Sequence, residues 1–203
     1  MDDEYKNKRE HKKTFFIVAG VNGVGKSTYI KWAGFENFVD VIIDPDKLAI
    51  EEGSLIAGCR KALNEIERCI ENGISFCQET TLSSKQIIKT IKKAKEHGYY
   101  IEMTYLGLDT VEESIARVAK RVENGGHYIP DDVIRRRFSK RFECLARILS
   151  FCDNAMLETI NDPSADIVAF YYGGRLMNWN LNGRKWASEF IEYYSQHDGI
   201  VWE

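Results

Sequence analysis

TFFIVAGVNGVGKST, residues Thr14 to Thr28, decides the fold. Phe15, Phe16, Ile17 and Val18 make a short apolar run of the kind that forms a strand buried on both faces. It passes without a break into Gly20-Val21-Asn22-Gly23-Val24-Gly25-Lys26-Ser27-Thr28, which has the spacing of a Walker A loop. In such a loop the glycines let backbone N–H groups turn inward around a phosphate chain. The lysine, here Lys26, reaches the β and γ phosphates, and the Ser27 hydroxyl ligates Mg²⁺. The phosphates then rest on the N-terminus of the helix that begins near Lys26. Gly20, Asn22, Gly23, Val24, Gly25, Lys26, Ser27 and Thr28 are therefore the expected cofactor-binding residues, with Ser27 the expected metal ligand.

Outward from this loop, strand and helix signals alternate. Ser27 to Ala33 reads as a short helix ended by Gly34, and Val39 to Ile43 as a second strand with Asp44-Pro45-Asp46 at its carboxyl end. Ser54 caps a helix whose apolar positions are Leu55, Cys59, Leu63, Ile66 and Ile70, stopped at Asn72-Gly73. Ile74 to Thr80 is a third strand. Ser83 and Gln86 form a capping box for a helix closed by Gly98, and Tyr99 to Leu108 is a fourth strand. Asp109 caps a helix running to Gly125-Gly126, and one long helix follows from about Pro130 through Leu149. Asp166 to Tyr172 reads as the fifth strand, leading through Gly173-Gly174 into a terminal hairpin, and Trp186 to Tyr194 as a last helix packing its aromatics inward. Such alternation predicts right-handed βαβ units in an α/β three-layer sandwich around a parallel sheet. Residues 1–13, almost wholly polar, are expected to be a mobile tail, and residues 14–203 a single domain.

Phosphoryl transfer needs a phosphate cradle, a metal, a group that orients or deprotonates the acceptor, and positive charge over the moving phosphoryl group. Asp46 and Asp44 supply carboxylates beside the loop, one suited to take the acceptor proton and the other to hold hydrated Mg²⁺. Glu79 and Thr80 end a strand where ligands bind in open α/β sheets, which puts them on the substrate side with Asp44. The positive charge lies in Arg117, Arg121, Arg135, Arg136, Arg137, Lys140 and Arg141, around Glu123-Asn124-Gly125-Gly126-His127-Tyr128-Ile129-Pro130. Two basic helix faces about a Gly-Gly hinge predict a lid over about 117–141 that closes arginines on the phosphates, Arg136 among the cofactor-binding set, and the family resemblance described below implies that Arg121 is the catalytic one. His127 is either a phosphate donor or a packing residue of that lid.

A net charge of −3 gives no case for nucleic acid as partner. Five cysteines without a CxxC pair read as reduced core thiols of a cytoplasmic protein. No run of about 18 apolar residues predicts a membrane span. NKxD, the guanine-recognition motif, does not occur, and Leu82-Ser83-Ser84-Lys85-Gln86 lacks the glycines of a transporter-ATPase signature.

GVNGVGKST, IIDPDKLA, QETTLSS and RVENGGHYIPDDVIRRRF, in that order and spacing, resemble the zeta toxin-like kinases, particularly their chromosomal branch. The resemblance covers about residues 14 to 155. It implies a P-loop kinase fold with strand order 2-3-1-4-5, ATP and Mg²⁺ as cofactors and, for zeta toxins proper, phosphorylation of UDP-N-acetylglucosamine on its sugar. By motif matching it gives Lys26 the phosphate-binding role, Asp46 the general base, Glu79 the substrate-side acid and Arg121 a lid arginine. Where the zeta toxins carry a second lid arginine just before the proline, this chain has His127, a departure that bears on substrate and rate rather than on the ATP site. The expected activity is transfer of the γ-phosphoryl group of ATP to a small-molecule hydroxyl acceptor. The alternative is an ATP-dependent switch with slow hydrolysis that acts through a protein such as an antitoxin. Asp46 separates the two, because a kinase needs a carboxylate beside the acceptor and a switch does not.

Overall fold

The computed structural model describes residues 12–161, 164–180, 184–197 and 200–202. β1 (Thr14–Gly20) leads into α1 (Lys26–Trp32), and a 3-10 turn at Phe35–Asn37 precedes β2 (Val41–Ile43). Next come α2 (Pro45–Glu51), α3 (Leu55–Asn72), β3 (Phe76–Thr80), α4 (Gln86–Glu96) and β4 (Tyr100–Gly107). α5 (Val111–Glu123), α6 (Asp131–Ser139) and α7 (Arg141–Leu149) then lead to β5 (Asn154–Asn161). β6 (Ser164–Tyr172), β7 (Arg175–Asn178), α8 (Lys185–Gln196) and β8 (Ile200–Trp202) complete the described chain.

One sheet runs β2-β3-β1-β4-β5-β6-β7-β8. The first five strands are parallel in the order 2-3-1-4-5, as the resemblance implies. β6 and β7 add an antiparallel hairpin to β5. The order reverses at β1, so its carboxyl end opens into the crevice where α/β sheets bind ligands, and the glycine-rich loop emerges there.

Period-2 alternation sends successive side chains to opposite faces. Phe15, Ile17, Ile101, Met103, Ala155 and Leu157 pack against the apolar stripes of α3, α4, α7 and α8, with Phe15 stacked on Phe76 at 4.4 Å between ring centres. Trp186, Phe190 and Tyr194 of α8 are buried, as their spacing predicts, and the Trp186 indole donates to Thr159 Oγ1 at 2.8 Å. On the other face Val18, Cys77 and Leu106 pack with Tyr29 and Ile30 of α1, Phe35 and Phe138. A separate small cluster of Val118, Ile129 and Ile134 ties α5 to α6 across the Gly125-Gly126 segment.

Several expectations are corrected. The fifth strand is Asn154–Asn161, not the segment from Asp166, which lies in β6. Glu158 disguises β5 in the sequence. It is only 4% exposed and accepts a hydrogen bond from the Tyr29 hydroxyl at 3.0 Å, which lets a carboxyl sit in a buried strand. The long helix after Pro130 is two, broken where Lys140 takes φ −97°, ψ 3°. Thr110 rather than Asp109 caps α5, accepting from Glu113 N at 3.2 Å, while Asp109 accepts from Trp186 N and anchors α8. Ser83 bonds Thr81 instead of closing a capping box, and Ser84 Oγ accepts from Gln86 N. Cys59 is exposed, whereas the other four cysteines are buried. The tail expected at 1–13 lies, up to residue 11, outside the described residues. Lys12 and Lys13 place their ammonium groups over the rings of Tyr100 and Tyr99. Among the described residues no helix is long and apolar enough to cross a membrane.

Candidate active site

The loop between β1 and α1 is shaped by glycine where no other residue fits. Gly25 holds φ 103° at the N-terminus of α1, and a Cβ on Gly20 would lie 2.4 Å from the Leu106 carbonyl oxygen. Asn22 and Val24 are buried, and Ser114 Oγ donates to the Asn22 carbonyl at 2.6 Å, fixing the loop to α5. Ser27 and Thr28 are exposed at the start of α1.

Lys26 is 7% exposed, and its Nζ donates to the carbonyls of Gly20 and Val21 at 3.2 Å each. Glu79, at the end of the neighbouring strand β3, brings Oε1 to 3.8 Å from Lys26 Nζ and accepts from Ser27 Oγ through Oε2 at 2.7 Å. Burial lowers the Lys26 pKa from its ordinary value, opposed by Glu79, Asp46 and Asp44 and reinforced by Arg121. Burial likewise raises the Glu79 carboxyl, opposed by Lys26 and by the Ser27 hydrogen bond. Each partner thus restrains the other's tendency to neutralise.

Asp44 and Asp46 stand at the end of β2 in different roles. Asp44 is the N-cap of α2, its Oδ1 accepting from Asp46 N at 3.0 Å and Lys47 N at 3.2 Å, with Pro45 preset for the first helical turn. Asp46, exposed in that turn, lines the same cleft as Lys26 and Glu79. Thr80 Oγ1 accepts from Leu82 N, closing a turn in which Leu82 takes φ 58° while 1% exposed. A left-handed leucine costs about 1–2 kcal/mol. Burial of its side chain offsets that cost and holds the rim of the cleft.

The arginines divide sharply. Arg117 pairs with Glu113 and Arg135 with Glu112, and Arg141 pairs with Glu189 while lying over the rings of Phe138 and Phe142. Arg121 donates to the His127 carbonyl at 2.7 Å, and its buried Nε has no hydrogen-bond partner among the described residues. The His127 side chain is exposed. Arg136 is exposed and outside the cleft lining, whereas Arg137 lines the cleft and donates from Nη1 to Asn22 Oδ1 at 3.3 Å. Helical spacing carries the signal that favours Arg137. It follows buried Ile134 by three residues and so borders the inward stripe, while Arg136 points away.

The cleft holds about 400 Å³. Its second wall comes from the first turns of α3, where Leu55 is 65% and Leu63 39% exposed, so this end of the amphipathic stripe faces the cleft and not the sheet. Gln78, inside β3, also lines it.

A parallel sheet of this order, a glycine-rich phosphate loop and acids at neighbouring strand ends define the P-loop kinases, which are phosphotransferases. A family model described as Zeta toxin matches residues 60–170. The chain belongs to the zeta toxin family. An uncharacterized protein of Haemophilus influenzae is 35% identical over 136 residues, covering 64% of this chain and 94% of that protein. A structure described as AvrRxo1-ORF1:-ORF2 with ATP shares the fold at TM-score 0.62 and 19% identity, covering 94% of this chain and 65% of that one, so this chain spans about two thirds of its length. The PezAT chromosomal toxin–antitoxin system of Streptococcus pneumoniae gives TM-score 0.58 at 15% identity, covering 97% of this chain and 95% of that one.

Proposed function

We propose that this chain transfers the γ-phosphoryl group of ATP to a hydroxyl of a small molecule held in the cleft between β3, α2 and α3. The observation that carries the reading is the placement of Asp46, Lys26 and Glu79 on one cleft immediately beside the phosphate loop. The loop suits a phosphate chain, since it opens the N-terminus of α1 at Gly25, where no side chain caps the helix, and Gly23 seats the loop on α5, where a Cβ would lie 2.9 Å from the Ser114 carbonyl oxygen. Ser27 and Glu79 offer adjacent oxygen donors of the kind Mg²⁺ takes together with phosphate oxygens and water. When bound, ATP with Mg²⁺ supplies the activated phosphoryl group.

In this reading Lys26 leaves the loop carbonyls to meet phosphate oxygens, and Asp46 accepts the acceptor's proton. Arg137, bonded to Asn22 of the loop, and Arg121, whose charge is felt at Lys26, place charge where the phosphoryl group moves. Asp46 favours transfer over a switch, because its carboxylate is not needed as a helix cap: Asp44 already performs that function. UDP-N-acetylglucosamine is the finer proposal for the acceptor and an antitoxin the proposed partner, both drawn from the resemblance, while a cytoplasmic setting is proposed from the five free cysteines. The test is incubation with labelled ATP, Mg²⁺ and a panel of sugars, nucleosides and nucleotide sugars, followed by mass analysis. Lys26→Ala should abolish product without unfolding the chain. Product formed at the native rate by that variant overturns the reading.

A further inference from the structure

Arg121 is enclosed by the turn that follows it. The N–H groups of Asn124 and Gly126 both donate to the Arg121 carbonyl, at 3.2 and 2.9 Å, so the chain leaving α5 folds back over its own last turn. One residue further on, the His127 carbonyl accepts from Arg121 Nη2 at 2.7 Å. Backbone and guanidinium of one residue are thus both held within residues 124–127. Arg121 Nε is covered as well, buried with no hydrogen-bond partner among the described residues. The two glycines of the turn are required for different reasons. Gly125 takes φ 82° with open space around it, the left-handed conformation that ends a helix. Gly126 is not left-handed, but a Cβ there would lie 2.5 Å from Arg121 Cγ and 2.8 Å from the Arg121 carbonyl oxygen. Beyond the turn, buried Ile129 packs with Val118 and Ile134.

The same helix turns one face to the phosphate loop. Ser114 Oγ bonds the Asn22 carbonyl, and a Cβ on Gly23 would lie 3.1 Å from Arg117 Cβ and 3.2 Å from Val118 Cγ2. Arg121 follows Arg117 by four residues and Val118 by three, so it continues that face toward the loop. Its charge is among those acting on Lys26. We propose that residues 124–127 form a seat that holds the Arg121 guanidinium in its working position beside the loop, with Gly126 and the His127 carbonyl as the positioning groups. An arginine loses much rotamer freedom when it is fixed, and a seat removes that loss before the nucleotide arrives. Charge placed in advance is the kind that stabilises a moving phosphoryl group. In this reading the Gly125-Gly126 pair is a fixed support for the arginine rather than a free hinge.

The inference rests on the kinase reading for the use of Arg121 and on this turn alone for its placement. Its test is NMR of the full chain labelled with the heavy nitrogen isotope, beside turnover of ATP with Mg²⁺ and UDP-N-acetylglucosamine. The Arg121 Nε–H, shielded from water, should give a resonance apart from those of exposed arginines, assigned by its loss in Arg121→Lys. In Gly126→Ala that signal should broaden through exchange with water. Turnover should fall about 10- to 100-fold, the scale of a small misplacement near the chemistry, while affinity for a non-hydrolysable ATP analogue stays within about twofold. In an Arg121→Ala background, Gly126→Ala should lower turnover no further, whereas two independent structural lesions would multiply. A retained Nε signal in Gly126→Ala, multiplied losses, or an equal loss of nucleotide affinity overturns the proposal. Where Gly126→Ala does not fold, Arg121→Lys decides, because lysine does not reproduce the guanidinium's geometry. The Tyr128 amide, joined to the accepting carbonyl, should then shift, and an unmoved amide overturns the seat. Native turnover by Arg121→Ala, or no turnover by the native chain, sinks the kinase reading of Arg121 and leaves the seat to be decided by the Nε signal alone.

Discussion

Ser27 donates its hydroxyl to Glu79 Oε2 at 2.7 Å, which joins the loop's metal-ligand position to the end of the adjacent strand. The resemblance implies a substrate-side role for Glu79, but this bond puts its carboxylate within reach of a metal held by Ser27. Glu79→Gln retains the shape and an acceptor for Ser27 while removing the charge. The Mg²⁺ concentration for half-maximal turnover should rise about 10- to 100-fold with the acceptor KM little changed. A raised acceptor KM at unchanged Mg²⁺ dependence would assign Glu79 to the substrate instead.

Arg137 and Arg136 are neighbours in sequence and differ in environment, one bonded to Asn22 and the other in solvent. Arg137→Ala should lower turnover about 10²-fold, the scale for losing one charge-stabilising donor, with a smaller loss of ATP affinity. Arg136→Ala should leave both within about twofold. Steady-state kinetics of the two variants decide this, and the opposite ranking would restore Arg136 to the cofactor-binding set.

The sequence pattern shows most of the scaffold because β1 and β2 are short apolar runs and every strand up to β4 is followed by a helix signal, and because Glu79 lies at the end of β3 while Lys26 and Asp46 open the helices that leave β1 and β2. β5 is obscured where tertiary partners override composition, since its Glu158 is tolerable only with Tyr29 of α1 above it. The break at Lys140 has no proline or glycine to announce it. In the site, Gln78 and Arg137 depend on which face of an element is covered by something distant in the chain. Periodicity orders residues around an element but does not say what packs there.

Burial raises the Glu158 carboxyl above the ordinary range, with the Tyr29 hydrogen bond opposing some of that shift. Between the unfolded value near about 4.3 and the raised native value, the unfolded chain binds fewer protons than the native one. Stability from this group is therefore greatest at low pH and lost as pH rises through that window. Glu158→Gln keeps an oxygen for Tyr29 and removes the ionisation. Its melting temperature should exceed the native one by about 2–4 °C near pH 8, the scale of about 1 kcal/mol for a chain of this size. The gain should vanish near about pH 4. An equal difference at both pH values would mean that ionisation of Glu158 is not the cause.

Asp46 and Asp44 provide the test of mechanism, because two aspartates at the same strand end have separable structural roles. Asp44 Oδ1 caps α2 through the N–H groups of Asp46 and Lys47. Asn caps as well as Asp does, so Asp44→Asn should cost at most about 1 kcal/mol of stability and reduce transfer less than about tenfold. Asp46 lies exposed in the first turn of α2 and lines the cleft, and its carboxylate is not required by the cap. Its contribution to the helix is only the favourable placement of a negative charge near the N-terminus, about 0.3–1 kcal/mol. Asp46→Asn should therefore fold and bind ATP as the native chain does. Loss of a general base typically lowers the rate by about 10² to 10⁴. Single-turnover transfer at saturating ATP, measured for both variants with an acceptor found by the panel above, separates a proton acceptor from a charge that merely supports the helix. Transfer at the native rate by Asp46→Asn would remove the general-base assignment and pass it to Glu79, the carboxylate on the same cleft nearest the loop.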